Sequence, residues 1–127
     1  MFGTPPSQRK RALGPLRIII KGNADEAANF VANQIALYMI ASPTLVMGSA
    51  TGETMRPVYA RLCHIFRNGE ALSMEFISFN LDEFISVPKS HPGSFHAYMA
   101  SGLFRCIQEP EVRCFIPEGM AKDLPAE

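Results

Sequence analysis

No charge of one sign predominates in this sequence: twelve Lys and Arg balance twelve Asp and Glu over 127 residues, for a formal net charge of zero. A chain without a basic field has little with which to hold a phosphodiester backbone, so nucleic acid is not an expected partner. Long apolar runs are missing too. The longest, Ile35 to Ala41, falls far short of the roughly 20 residues of a membrane-spanning helix, and no apolar segment with a small-residue cleavage site follows Met1. The expectation is a cytoplasmic protein with no membrane partner. Cysteine is sparse, and Cys63, Cys106 and Cys114 show neither CxxC nor Cys/His ligand spacing. Zinc sites and disulfide frameworks therefore fit poorly, and three reduced, mostly buried thiols with no bound metal are expected. What the chain does have is 47% hydrophobic residues, enough for one domain to build a core unaided.

The first fifteen residues hold Gly3, Pro5, Pro6, Gly14 and Pro15 around the basic run Arg9-Lys10-Arg11, a composition that cannot pack and is expected to form a mobile tail. From Leu16 the pattern changes. Leu16 to Ile20 reads as a first strand, and a helix capped by Asn23 or Asp25 follows, with Ala27, Phe30, Val31, Gln34, Ile35, Tyr38 and Met39 at helical spacing. Ser42-Pro43 ends it. Thr44 to Met47 reads as a second strand, and Val58, Leu62, Ile65 and Phe66 trace a second helix that stops at Asn68-Gly69. Met74 to Phe79 is the expected third strand, Ser94 to Cys106 the third helix and Val112 to Phe115 a short fourth strand. Strand and helix alternating in this way imply parallel βαβ units. The expected fold class is α/β, a three-layer, Rossmann-like open parallel sheet cut to three or four strands over residues 16–117, with 118–127 as a C-terminal tail.

Ligands of such sheets bind beyond the carboxyl ends of the strands, and two segments stand there. Gly48-Ser49-Ala50-Thr51-Gly52-Glu53-Thr54 follows the second strand, with glycines for a tight turn and a helix N-terminus that points N–H groups into the cleft. It is a phosphate cradle in outline or a plain strand-to-helix turn. It lacks the Gly-Lys-[Ser/Thr] of a Walker loop and the Gly-x-Gly-x-x-Gly of dinucleotide folds, and Glu53 adds a negative charge. Asn80-Leu81-Asp82-Glu83 follows the third strand, which fixes two carboxylates at the sheet rim, where one could act as a general base or both could serve as caps and ion-pair partners. His91 and His96 are five apart and do not share a helical face, so a joint metal site is not expected.

Three segments in order, Val46-Met47-Gly48-Ser49-Ala50-Thr51-Gly52, Phe79-Asn80-Leu81-Asp82-Glu83-Phe84 and Pro88-Lys89-Ser90-His91-Pro92-Gly93-Ser94-Phe95, resemble the glucosamine-6-phosphate deaminase/isomerase family. The resemblance extends over Leu16 to Pro117 and implies a Rossmann-like domain acting on an amino-sugar phosphate without a redox cofactor. The implied chemistry is ring opening, proton transfer between two sugar carbons and loss of ammonia to give fructose 6-phosphate. By position, Asp82 is similar to the family's proton-shuttling base, Glu83 to a neighbour that supports it, and Thr51, Gly52, Glu53 and Thr54 to the turn that holds the phosphate. Glu53 stands where the family usually has Gly or Ser, and Met55 where it has Pro. The family's second-half Gly-x-Asp-Gly-His-Ile-Ala-Phe-Asn-Glu segment, with its ring-opening histidine, has no counterpart here. A form incomplete or inactive on its own is therefore expected, with an apolar face and an edge strand left for a second chain or a homo-oligomer to cover. A non-catalytic sugar-phosphate sensor and a lactonase acting on a phosphorylated sugar acid are the rival readings.

Overall fold

The computed structural model describes residues 15–42, 44–69, 76–107 and 113–122, and the expected N-terminal tail lies outside them except for Pro15. Three helices and three strands alternate: α1 (Ala24–Ala41), β1 (Val46–Ser49), α2 (Arg56–Arg67), β2 (Ile77–Asn80), α3 (Phe95–Gly102) and β3 (Cys114–Phe115). Single 3-10 turns precede α2 at Glu53–Met55 and follow α3 at Phe104–Cys106. The strands form one parallel sheet in the order β1-β2-β3, with Ser49 opposite Asn80 and Phe79 opposite Phe115. The open parallel α/β fold is therefore present, with β1 set two residues later than the expected Thr44 to Met47 and with β2 and β3 ending at Asn80 and Phe115.

Local chemistry accounts for the helix boundaries. Asn23 caps α1 by accepting the Glu26 N–H at 2.8 Å, while the Glu26 carboxylate reaches back to the Gly22 N–H at 3.1 Å, so one orphan donor of the first turn and the N–H just before the cap are satisfied. Ser94 caps α3 by accepting the Ala97 N–H at 3.0 Å. Gly69, at φ 68°, supplies the left-handed residue just past the end of α2. Among the described residues, no helix is long and apolar enough to cross a membrane.

One hydrophobic cluster joins all three helices to the sheet. Ala28, Ala32, Ala36 and Met39 of α1 meet Val58, Leu62, Ile65 and Phe66 of α2, and Phe76, Met99, Leu103 and Ile107 complete it. The buried stripe of α1 thus differs from the one expected, because Val31 and Tyr38 are exposed. Small side chains explain the choice: an alanine seam lets two helix backbones approach closely, and the larger apolar residues are turned to the flank.

Along β2, Ser78 and Asn80 share the buried face with Phe76, and Ile77 and Phe79 point the other way. There Phe79 stacks on Phe115 with ring centroids 5.0 Å apart, the two being 49% and 44% exposed. This apolar face has no cover among the described residues.

Two expectations are corrected. Leu16 to Ile20 pairs with no strand among the described residues and lies exposed, with Ile20 at 88%. A β-branched run becomes a strand only where an edge of matching register is offered, and that is not a local property. Cys63 and Cys106 are not separate thiols: they form a disulfide that ties α2 to the turn after α3, with their Cα atoms 5.3 Å apart. Their 43-residue separation in the chain hid a proximity created by helix packing. Of the segment expected as a C-terminal tail, Glu118 and Gly119 contact the loop after β2, and 123–127 lie outside the described residues.

Candidate functional site

Because β1 and β2 are parallel neighbours, the segments that leave Ser49 and Asn80 emerge side by side from the carboxyl edge of the sheet. The two strand ends are joined beneath by a buried hydrogen bond between the hydroxyls of Ser49 and Ser78, 2.7 Å apart. Asn80 is buried as well, and its side-chain oxygen has no protein partner among the described residues. An unsatisfied buried acceptor costs on the order of 1–3 kcal/mol, and this one stands at the last residue of β2. Its amide placed directly after an apolar strand was the signal in the sequence.

The first segment runs through Thr51 and Gly52 into the 3-10 turn at Glu53–Met55. Gly52 adopts φ 123°, a conformation that any Cβ would strain. Its carbonyl accepts the Tyr98 hydroxyl at 2.6 Å, and the Ala50 carbonyl accepts the Tyr59 hydroxyl. Tyrosines from α3 and α2 therefore hold the turn by its oxygens. The N–H groups of Gly52, Glu53 and Thr54 take no protein acceptor among the described residues, which leaves a row of donors at the start of a helix. Burial, with Tyr98 alongside, pushes the Tyr59 hydroxyl up to about 12, so it remains a donor across the ordinary pH range. Neither tyrosine was singled out from the sequence. Their contacts cross 9 and 46 residues of chain, and no local pattern marks them.

Glu53 does not lie unpaired beside these donors. Its carboxylate accepts the Arg56 Nε–H at 2.7 Å, and the Arg56 guanidinium lies over the Tyr98 ring at 4.8 Å. Both side chains are largely exposed, and the charge that the sequence set against anion binding is matched by a cation one turn along the chain. Thr54 is exposed and Thr51 half-buried.

The second segment treats its two carboxylates differently. Asp82 is exposed at the rim. The Glu83 side chain is 1% exposed and accepts the N–H groups of Phe84 and Phe95 at 2.9 Å, the His96 N–H at 3.0 Å and the His96 Nδ1–H at 2.8 Å. Burial opposes its ionisation, but the Phe95 N–H, the His96 imidazole and the two remaining N–H groups outweigh it and hold the carboxyl down at about 2. Glu83 thereby sits as an anion on the N-terminus of α3 and anchors the residue next to Asp82 to a helix. Since an ionised carboxylate only accepts, His96 Nδ1 carries the proton of this contact.

Downstream, the loop is fastened from the far end of the described chain. The Ser86 N–H donates to the Gly119 carbonyl at 2.8 Å and Lys89 pairs with Glu118 at 3.0 Å. A Cβ at Gly119 would lie 2.4 Å from the Phe84 carbonyl oxygen, so only glycine permits this approach. Among the described residues, no three His, Cys, Asp or Glu side chains gather as a metal site.

Comparison with known proteins gives this geometry a lineage. No protein-family model matches the chain. It is 36% identical over 112 residues to the glucosamine-6-phosphate deaminase of Halothermothrix orenii, a match that covers 88% of this chain and 46% of that protein. The glucosamine-6-phosphate deaminase of Alkaliphilus oremlandii is 37% identical over 102 residues, covering 80% and 41%. Among solved structures, a monomeric glucosamine-6-phosphate deaminase of the NagB superfamily superposes with a TM-score of 0.80 at 28% identity, over 85% of this chain and 45% of that one. The chain spans about half the length of the relatives it matches. In sequence and in fold it is similar to about half of these glucosamine-6-phosphate deaminases, as the three strand-end segments of the sequence imply.

Proposed function

We propose that this chain carries the phosphate turn and the proton-transfer base of an amino-sugar-phosphate deaminase, a hydrolase-type activity of the cytoplasm that needs no redox cofactor. The observation that supports it most is the pairing of Ser49 with Asn80, which sets a donor-lined turn and a carboxylate-bearing segment next to each other at one sheet edge. In this reading the free N–H groups of Gly52, Glu53 and Thr54, with the hydroxyls of Thr51 and Thr54, hold the sugar phosphate. Asp82 removes a proton from the carbon bearing the amino group once the sugar is open, and returns it to the neighbouring carbonyl carbon. The resulting ketimine takes up water and releases ammonia, so one amino-sugar phosphate and one water give fructose 6-phosphate and ammonia. Exposure keeps Asp82 free to reach substrate, while Glu83, fully engaged with α3, fixes the direction from which it does so.

Ring opening is assigned to residues that the family keeps in its second half, supplied by further sequence, a complementing chain or a copy in an oligomer. The test should therefore bypass that step. Fructose 6-phosphate opens spontaneously, and a base at Asp82 exchanges a proton at its carbon 1 with solvent. In D2O the chain is expected to catalyse deuterium incorporation there, read by proton NMR. Asp82→Asn should slow it by about 10²- to 10⁴-fold with the dissociation constant for the sugar phosphate unchanged. Equal loss of binding and exchange would sink the assignment of the base. Saturable binding with no exchange in the parent chain would instead mark a sugar-phosphate sensor.

A further inference from the structure

A cavity of about 180 Å³ opens between α2 and α3, and its lining includes Arg56, Tyr59, Tyr98, Ser101 and Arg105. That volume is well below the ~300 Å³ at which pockets for small organic molecules begin. Two guanidinium groups line it. Arg105 has no ion pair among the described residues, and Arg56 spends one nitrogen, Nε, on Glu53 while its guanidinium carbon lies 4.8 Å from the centre of the Tyr98 ring. The charges around the cavity are thus two cations against one carboxylate, with the remaining guanidinium nitrogens uncommitted. The Ser101 hydroxyl shares its one proton between the carbonyls of Ala97 and Tyr98, at 3.0 and 3.1 Å, and its oxygen can accept from a bridging water.

We infer that this cavity is a binding site for a small tetrahedral dianion of the inorganic phosphate class, clamped between Arg56 and Arg105 and separate from the donors of the turn. Guanidinium groups suit such a ligand because their paired N–H donors match the spacing of two phosphate oxygens. The site is also wired to its neighbour. The Tyr98 ring lies beneath Arg56, and its hydroxyl is the donor that holds the Gly52 carbonyl. A dianion that draws Arg56 away from Glu53 shifts the group stacked on Tyr98 and frees a carboxylate beside the turn, so occupancy of the cavity should weaken anion binding at the turn.

Inorganic phosphate titrated into the ¹⁵N-labelled full chain, at ionic strength held constant with chloride, tests this. The amides of Ser101, Gly102 and Arg105 are expected to shift and saturate together. Arg105→Gln and Arg56→Gln should each weaken that saturation by about tenfold, and Arg105→Lys should restore part of it. In Arg105→Gln the amides of Thr51 and Thr54 should still respond, because the turn does not use Arg105. Shifts confined to Thr51–Thr54, a response reproduced by chloride alone, or unchanged saturation in both glutamine variants would overturn the inference. Failure of the proposed deaminase chemistry would leave these outcomes untouched.

Discussion

The two segments at the carboxyl edge of the sheet are held by opposite means. Neutral tyrosine hydroxyls grip the turn after β1 by its carbonyl oxygens, so its N–H groups remain open. A buried anion grips the segment after β2, and Glu83 consumes N–H groups of its own loop and of α3. The first arrangement leaves a surface of donors that suits an anionic ligand and does not titrate near neutrality. The second fixes backbone with a charge, leaves Asp82 uncommitted beside it and exposes the fold to acid. Neighbours in space, the two segments differ in which backbone atoms their anchors leave free.

The largest expected effect comes from breaking the anionic anchor. Glu83→Ala leaves four donors without an acceptor and should cost on the order of 3 kcal/mol in urea unfolding at neutral pH. Glu83→Gln, which keeps the shape and loses the charge, should cost less and isolates the electrostatic part. Its carboxyl lies at about 2 in the folded chain against an ordinary 4.5, so the stabilisation is present above 4.5 and is lost as pH falls toward 2. Parent and Glu83→Gln should therefore differ by on the order of 2 kcal/mol at neutral pH and converge as pH falls through that window. A constant gap across it would refute the charged role.

A smaller loss is expected at the neutral anchor. Tyr98→Phe removes one hydroxyl from the Gly52 carbonyl and should cost about 1 kcal/mol with no dependence on acid pH, because nothing in that contact titrates there. Looser hold on the turn should appear as weaker binding of a phosphosugar by calorimetry, and an unchanged affinity would separate the turn from the ligand. The smallest effect belongs to Glu53. With its carboxylate on Arg56 and both groups in solvent, Glu53→Gln should change phosphosugar affinity by less than about twofold. A large tightening would mean that the carboxylate faces the donors after all.

Much of this was legible beforehand, and the particular residues show why. Asn23, Ser94 and Gly69 announce helix ends because caps act within three or four residues. The parallel α/β order followed from alternating patterns, and Thr51, Gly52, Asp82 and Glu83 could be set at strand ends because a strand and the residue after it are covalently consecutive. Glu83 was legible as a rim carboxylate and not as the cap of a helix that begins 12 residues later. The face of α1 was misjudged because size dominates a hydrophobic pattern, whereas helix contact rewards small residues.

By itself the sequence determined the class of the fold, the ends of its helices, the resemblance to a family and the two segments that leave the carboxyl ends of the strands, all of which rest on local spacing or on kinship. Only the tertiary structure decided that Cys63 joins Cys106 across 43 residues, that Tyr98 reaches Gly52 across 46, that Glu83 is buried while Asp82 is free, and that Leu16 to Ile20 finds no strand among the described residues. Those outcomes depend on which surfaces meet once the helices pack, and a contact between distant residues is fixed by that packing and by nothing in the chain on either side of it.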